Sequence, residues 1–245
     1  MEEISLKAAE LFRVGSFTIT NSLLLTMIVS FILVAGSFLI YRKISIVPGS
    51  LQSAVEMGIE GLLNLMSSIL GSMKLAEKYL PLIATIFIFI LACNLLGILP
   101  GVGSLVYYAH SHSEHVPLLR SPAADLNFTL AFAIISVFLT NFFGIAAVGA
   151  LAHIKKFLNF SSPINFFVGI LELVSEVARI ISFSFRLFGN IFAGEVLLII
   201  IFFLMPYIVP IPFLTLEMFF GTIQAFIFAM LTLVTLALHT AQTEH

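Results

Sequence analysis

Polar side chains interrupt two long apolar stretches in the C-terminal half of this 245-residue chain. The first stretch covers residues 163–205, and the second covers residues 212–240. Ionisable and amide side chains inside such apolar stretches are the groups that membrane proteins use to bind and pass ions. The candidates are Glu172, Glu176, Arg179, Arg186, Asn190, Glu195, Glu217 and Gln224.

Helical spacing places most of these side chains on common faces. At 3.6 residues per turn, one stripe of the first stretch contains Glu172, Glu176, Arg179, Arg186 and Asn190. Glu195 falls on the opposite side of that helix from Arg186. Glu217 and Gln224 are seven residues apart and share one face of the last helix.

Each charged group at the middle of a bilayer costs about 2.5–3.5 kcal/mol on insertion scales. Several of them in two consecutive spans therefore indicate positions that are lined by water or paired with protein groups. Such positions are commonly ion pathways.

Structural roles are the alternative for each group. The two glutamates at the start of the stripe and Arg179 could form an interfacial salt-bridge cluster, and the two amides could form hydrogen bonds between helices. No matched partner at helical spacing neutralises Arg186, Glu195 or Glu217, which favours functional roles for these three residues. A bridge between Arg186 and Glu217 across the two helices would be purely structural.

The amino-acid composition indicates that this chain lies in a membrane and not in water. Hydrophobic residues make up 60% of it and charged residues 10%, against about 45–50% and about 25% in soluble domains. This balance excludes a cytosolic enzyme, a nucleic-acid-binding protein and a disordered chain. The single cysteine, Cys93, excludes an intramolecular disulfide. We therefore predict an all-α integral membrane protein in contact with membrane lipid.

Five apolar runs are long enough to cross a bilayer, which takes about 20 residues. They cover residues 17–41, 81–99, 124–152, 163–205 and 212–240. Residues 51–79 are amphipathic, with Glu56 and Glu60 on one face, so we expect a helix that lies at the membrane surface. Residues 1–16 are expected to be a surface segment, in which residues 2–13 could form a short helix.

Proline and serine mark the predicted helix starts. Pro81 suits the first position of a helix. The pairs Ser121-Pro122 and Ser162-Pro163 each combine an N-cap residue with a proline at the first helical position.

The run of residues 163–205 is too long for a simple crossing. As one helix it would extend about 60 Å at 1.5 Å per residue, twice the roughly 30 Å hydrocarbon core. The helix is therefore either broken near Gly189 or Gly194, or strongly tilted. A tilted helix of this length would make sense if it followed a curved protein partner.

Residues 100–123 are predicted to be a polar external loop. This loop contains His110, His112, Glu114 and His115. Their spacing on a flexible loop supplies no defined metal geometry. We expect neither a metal site nor another cofactor.

Basic residues indicate the orientation in the membrane. Six of them fall in segments that five crossings place on one side, at positions 42, 43, 74, 78, 155 and 156, against Lys7, Arg13 and Arg120 on the other. The positive-inside rule then places the C-terminus in the cytoplasm and the N-terminus outside. No cleavable signal is apparent after the acidic start, and we expect a bacterial plasma (inner) membrane.

Four motifs carry a resemblance to a known family. RLFGNIFAGE from Arg186 to Glu195 resembles the signature of subunit a of F-type ATP synthases, and QAFIF from Gln224 resembles the second motif of that family. NLLGILPG from Asn94 and DLN from Asp125 resemble its earlier motifs. The similarity covers nearly the whole chain, in the same order.

The resemblance implies a role for each matched residue. In this family the protein is the stator that faces a rotating ring of c subunits, each with one membrane-buried carboxylate, and it also contacts the peripheral-stalk b subunits. Arg186 matches the essential arginine. Asn190, Glu195 and Gln224 match polar residues of the same two helices, and Glu172 matches an acidic residue of the cytoplasmic access path.

Glu217 falls where some members of the family carry a histidine. The family often has an acid and a histidine exchanged between this position and the Glu195 position, whereas both residues are glutamates here. The resemblance implies proton translocation coupled to ATP synthesis, with sodium as the other possible ion. It also implies a subunit of a larger complex that is no enzyme on its own. The physical route we expect has an outer half-channel past Glu195, Glu217, Asn190 and Gln224, and a cytoplasmic half-channel past Glu172 and Glu176.

Two other readings of the buried charges remain at this point. A secondary transporter would also place ionisable groups at mid-membrane, but it usually shows inverted repeats, and no convincing repeat relates the halves of this chain. A membrane scaffold subunit would need no charged stripe.

Overall fold

The computed structural model describes residues 8–15, 17–99, 106–108, 115–157 and 162–240. Long α-helices make up most of these residues. The helices are α1 (Asn21–Arg42), α2 (Ser50–Leu70), α3 (Met73–Ile98), α4 (Leu126–Val148), α5 (Ala150–Phe157), α6 (Pro163–Leu204) and α7 (Pro210–Thr240). Two antiparallel strand pairs complete the described elements, β1 (Glu10–Val14) with β2 (Phe17–Thr20) and β3 (Val106–Tyr108) with β4 (His115–Pro117).

Five of the described helices are long and apolar enough to cross a membrane, namely α1, α3, α4, α6 and α7. The prediction of an all-α membrane protein with five crossings is confirmed at this level. The hydrophobic core lies between α3, α4, α6 and α7, where Tyr79, Ile83, Leu187 and Leu233 are buried. Most of α2 is exposed, and Met66 is its buried residue.

The N-terminal segment differs from the short surface helix predicted over residues 2–13. Residues 10–14 form β1 and pair with β2, and residues 1–7 lie outside the described part of the chain. Gly15 has φ +65° at the turn between the strands, a conformation that glycine adopts without steric cost. The first crossing therefore begins at Asn21, not at residue 17, with Thr20 accepting a cap hydrogen bond from the Leu23 N–H.

The predicted surface helix over residues 51–79 is wrong at its C-terminal end. Its helix, α2, stops at Leu70, because Gly71 adopts the left-handed conformation that ends many helices. The following residues are the first turns of α3, so Pro81 lies inside that helix and not at its start. A proline there removes a backbone hydrogen bond, and burial of Ala76 and Tyr79 before it offsets the loss.

The third crossing is shorter than residues 124–152. Ser121-Pro122 starts only a 3-10 turn (Pro122–Ala124), and Asp125 caps α4 by accepting from the Asn127 N–H. The helix ends before Gly149, whose φ of +92° separates α4 from α5. The Asp125 carboxylate also accepts a 2.6 Å hydrogen bond from the Ser22 hydroxyl, which ties the start of α1 to the start of α4.

The long C-terminal helices have nearly the predicted bounds. Helix α6 begins at Pro163 after the cap residue Ser162 and continues unbroken to Leu204, so no break occurs at Gly189 or Gly194. Helix α7 begins two residues earlier than predicted. The histidine positions 110 and 112 and Glu114 in the polar loop lie outside the described residues, and His115 is described only in its backbone.

Candidate functional site: the hairpin of α6 and α7

Helices α6 and α7 form the frame that carries all eight candidate side chains. At 1.5 Å per residue, the 42 residues of α6 extend about 63 Å. A helix of this length keeps all of its apolar residues inside a core of roughly 30 Å only when it is strongly inclined. The turn between α6 and α7 holds Pro206, and α7 then packs back along α6.

Arg186 lies near the middle of α6 and is exposed. Its Nη2 donates a 3.2 Å hydrogen bond to the Ser182 hydroxyl one turn earlier. Within the described part of the chain, no carboxylate lies in ion-pair distance of Arg186. A shallow crevice lies between α6 and α7 here, and it is lined by Phe183, Arg186, Leu187, Gln224, Phe228 and Leu231.

The surface around Arg186 is built from small residues. Ser182, Gly189 and Ala193 are exposed on the same side of α6, together with Asn190. A Cβ atom added at Gly189 would meet nothing within 4 Å in this chain. Small residues on a membrane helix allow another helix to approach closely.

The acidic start of the stripe is paired inside the chain. One oxygen of Glu176 accepts from Arg179 Nη1 at 2.7 Å and from His239 Nε2 at 3.1 Å. The other oxygen accepts from Asn141 Nδ2 at 3.2 Å. Asn141 in turn contacts His153 Nε2 at 3.0 Å. Of the salt-bridge cluster considered above as a structural alternative, the ion pair between Glu176 and Arg179 forms, and it is part of a network that joins α4, α5, α6 and α7.

Glu172 adjoins this network. Ligand atoms of Glu172, Glu176 and His239 lie within 4.8 Å of one another, which is a spacing that could hold a metal ion. The Arg179 guanidinium already stands beside the Glu176 carboxylate and supplies the positive charge there. A metal ion there would compete with this guanidinium for the same carboxylate.

Glu195 is paired with an arginine that sequence reasoning did not select. Arg120, just before the 3-10 turn, donates to both Glu195 oxygens from Nε at 3.1 and 3.2 Å and from Nη2 at 3.1 Å. Glu195 therefore has a neutralising partner that helical spacing does not reveal, because that partner comes from a loop. The Arg120 guanidinium also lies 5.9 Å from the centre of the Phe192 ring, within cation–π range.

Glu217 packs against the α6 backbone next to Glu195. A Cβ atom at Gly194 would lie 2.9 Å from Glu217 Oε1, so the absence of a side chain at Gly194 makes room for this carboxyl group. Glu217 is buried, and its Oε2 has no hydrogen-bond partner among the described residues. The bridge between Arg186 and Glu217, considered above as a structural alternative, does not form in the described chain.

Two other polar residues support the hairpin. Gln224 is buried, on the same face of α7 as Glu217. Asn94 of α3 donates a 2.8 Å hydrogen bond to the Gly221 carbonyl between them. The signal that could have identified Asn94 and Asn141 is an amide in the middle of an apolar run, since such amides usually form hydrogen bonds between helices.

The structure thus separates the eight candidates into three environments. The first is the internal network of Glu172, Glu176 and Arg179, and the second is the half-buried Glu195 with the buried Glu217. The third is the exposed surface of Arg186 and Asn190, beside Gln224 in the crevice. Spanning helices with buried carboxylates at two levels and an exposed arginine between them define an integral membrane protein suited to ion transfer.

Comparison with known proteins identifies the family. The ATP synthase A chain family matches residues 23–237. ATP synthase subunit a of Moorella thermoacetica is 35% identical over 231 residues, which cover 94% of this chain and 95% of the relative. ATP synthase subunit a of Campylobacter jejuni subsp. jejuni serotype O:23/36 is 38% identical over 213 residues, 86% of this chain and 85% of the relative. The subunit of Campylobacter concisus is 36% identical over 221 residues, 89% and 88% of the two chains. The chain belongs to the ATP synthase A chain family.

Proposed function

We propose that this chain is the proton-translocating stator subunit of an F-type ATP synthase and that Arg186 is its coupling residue. The observation that carries this proposal is the exposure of Arg186 midway along an apolar helix, without a carboxylate partner in the described chain. An arginine at that depth is costly in lipid. It therefore requires a partner from another subunit, together with water.

The partner we propose is a ring of c subunits, each with one carboxylate in the membrane. The small exposed residues Ser182, Gly189 and Ala193 support this, because they would let ring helices pass close to the guanidinium. The length of α6 supports it as well, since an inclined helix presents a long surface to a curved ring.

Two half-channels would bring protons to different points on the ring. For the outer half-channel we propose Glu195, Glu217, Asn190 and Gln224, of which the two glutamates lie side by side at Gly194. For the cytoplasmic half-channel we propose Glu172 and Glu176 at the other end of the stripe. The separation of these two groups along α6, with Arg186 between them, prevents direct passage of a proton.

Electrostatics then couples proton transfer to rotation. A ring carboxyl that faces lipid must be protonated, because an unpaired charge there is too costly. Opposite Arg186 the nearby cation favours the ionised form, so the ring carboxyl releases its proton on approach and takes up another after leaving. Arginine does not deprotonate in proteins, so Arg186 cannot relay protons between the half-channels.

The attraction between Arg186 and a ring carboxylate must be weak enough for the ring to move on. A pair of charges 4 Å apart is worth about 4 kcal/mol at an effective dielectric constant of 20, whereas a potential of 100 mV supplies about 2.3 kcal/mol per charge. A dry and permanent ion pair would therefore stop rotation. The exposure of Arg186 and its single hydroxyl partner support a hydrated contact instead.

The chain would act as a single membrane domain within the complex and would not catalyse ATP synthesis by itself. Peripheral-stalk b subunits are the second proposed partner, and protons are proposed over sodium as the transported ion. The basic residues at positions 42, 43, 74, 78, 155 and 156 support a cytoplasmic C-terminus and an external N-terminus in a bacterial plasma membrane.

ATP-driven acidification of inverted membrane vesicles tests the proposal. Arg186→Ala should abolish acidification while the ATPase remains bound to the membrane. Unchanged acidification would show that Arg186 is not the coupling residue. Loss of the bound ATPase instead would assign Arg186 to assembly, as a scaffold role predicts.

A further inference from the structure

We propose that Arg120 is a positioning residue for proton transfer. Arg120 fixes Glu195 beside Glu217, and Glu217 is then the carboxyl group that exchanges the proton. This inference rests on the proposed function and concerns the outer half-channel. It assigns different tasks to the two glutamates, which the sequence alone treats as equivalent.

The contacts of Glu195 are those of a fixed group. Both of its oxygens accept from the Arg120 guanidinium, through three hydrogen bonds of 3.1–3.2 Å. The Arg120 side chain is only 10% exposed, and its guanidinium lies near the Phe192 ring. A forked arginine–carboxylate contact fixes orientation as well as charge. Protonation of Glu195 would remove the negative charge on which this contact with the guanidinium depends.

The contacts of Glu217 are those of an exchanging group. Its Oε2 is buried without a hydrogen-bond partner among the described residues. Its Oε1 lies over Gly194, where the next residue of α6 is Glu195 itself. A proton on Glu217 therefore breaks no existing hydrogen bond of Oε2, and it reduces the repulsion between two neighbouring carboxylates.

Arg120 also prevents Glu195 and Glu217 from sharing one proton. Without the guanidinium, Glu195 would lose its partner and could share a proton directly with Glu217. Two carboxylates in contact hold a shared proton strongly, and a strongly held proton slows transfer. The harm caused by losing Arg120 should therefore depend on the presence of Glu195.

That dependence separates a positioning role from a purely structural one. In ATP-driven acidification of inverted vesicles, Arg120→Gln should slow pumping by about tenfold, equivalent to about 1.4 kcal/mol. Arg120→Lys keeps the charge but loses the planar fork, so its rate should lie between those of Arg120→Gln and the wild type. Arg120→Gln combined with Glu195→Gln should pump faster than Arg120→Gln alone. The exposed Arg13 of β1 gives a matched control, and Arg13→Gln should pump like the wild type.

The pumping rates of these variants either support or overturn the positioning role of Arg120. Equal pumping by Arg120→Gln and the wild type would overturn it, as would a double variant no faster than Arg120→Gln alone. If Arg120→Gln fails to assemble, the double variant and Arg120→Lys decide, and failure of both to assemble would show a purely structural role. Arg186→Ala is measured alongside, so that normal pumping by that variant would overturn the proposed function itself, whatever Arg120 does.

Discussion

Arg179 and Arg186 lie seven residues apart on the same helix, but their surroundings are opposite. Arg179 donates a 2.7 Å hydrogen bond to Glu176, within a network that includes His239 and Asn141. Arg186 is exposed and contacts only the Ser182 hydroxyl within the described chain. Both side chains belong to the stripe that the sequence predicts, so helical spacing does not explain the difference.

The difference comes from the helices that cover the stripe. Asn141 of α4 and His239 of α7 reach Glu176 and complete its hydrogen bonds. At Arg186 the neighbouring helix contributes a shallow crevice instead of a carboxylate. A charge that the chain satisfies itself contributes to its stability, whereas a charge that the chain leaves exposed in an apolar surface is available to a partner.

The largest expected effect is at Arg186, where we predict that charge alone does not suffice. Arg186→Lys keeps the positive charge but loses the planar fork, and a buried lysine can deprotonate. We therefore expect it to reduce ATP-driven acidification nearly as much as Arg186→Ala. The amount of this subunit in the membrane should stay unchanged in both variants, because Arg186 has no ion-pair partner in the described chain. Normal pumping by the lysine variant would show that the guanidinium is not required.

Arg179→Ala should give the opposite pattern. Removing this guanidinium leaves the buried Glu176 carboxylate with less compensation, at a cost of about 1–3 kcal/mol, so the chain should be less stable. We expect less subunit in the membrane and a lower thermal unfolding midpoint. Pumping per assembled complex should remain within about threefold of the wild type, since a threefold change is less than 1 kcal/mol. Full stability together with lost pumping would place Arg179, and not only Arg186, in the coupling machinery.

The two glutamates of the outer half-channel should have intermediate effects. Glu217→Gln and Glu195→Gln are each expected to slow proton translocation without uncoupling it, and the slowing should be greater for Glu217→Gln. The physical reason is that Glu217 Oε2 has no described partner, whereas both Glu195 oxygens are held by Arg120. Rates of ATP synthesis driven by an imposed proton gradient measure this. A double variant that works at full rate would remove both residues from the path.

The smallest expected effect comes from the backbone contact at Gly194. Gly194→Ala places a methyl group 2.9 Å from Glu217 Oε1, so the carboxyl group must move. We expect about a threefold slower proton translocation, which corresponds to less than 1 kcal/mol. Gly36→Ala in α1 is the matched control, because a Cβ atom there meets nothing within 4 Å. Equal rates for the two alanine variants would mean that the position of Glu217 is not critical.

Much of the fold could be predicted because apolar length determines a membrane crossing. The start of α6 at Pro163 was predictable from its N-cap signal and was found there. Pro81 does not mark a helix start, because burial of Ala76 and Tyr79 holds it inside α3. Gly71 carried the correct signal for the end of α2, but nothing in the surrounding apolar pattern distinguished it from other glycines.

The candidate site was predictable where it depends on one helix and not where it depends on several. Spacing along α6 was enough to select Glu176 and Arg179 as a pair. Arg120 and His239 were missed, because each reaches its glutamate from a segment distant in sequence. Periodicity describes one helix at a time, so contacts between elements require the tertiary structure.

The most direct test of the central claim is the structure of the assembled complex in several rotary states. Arg186 should then face the carboxylate of a neighbouring subunit, with water around the guanidinium and no permanent carboxylate partner in its own chain. An Arg186 that is bonded to Glu195 or Glu217 in every rotary state would contradict the account.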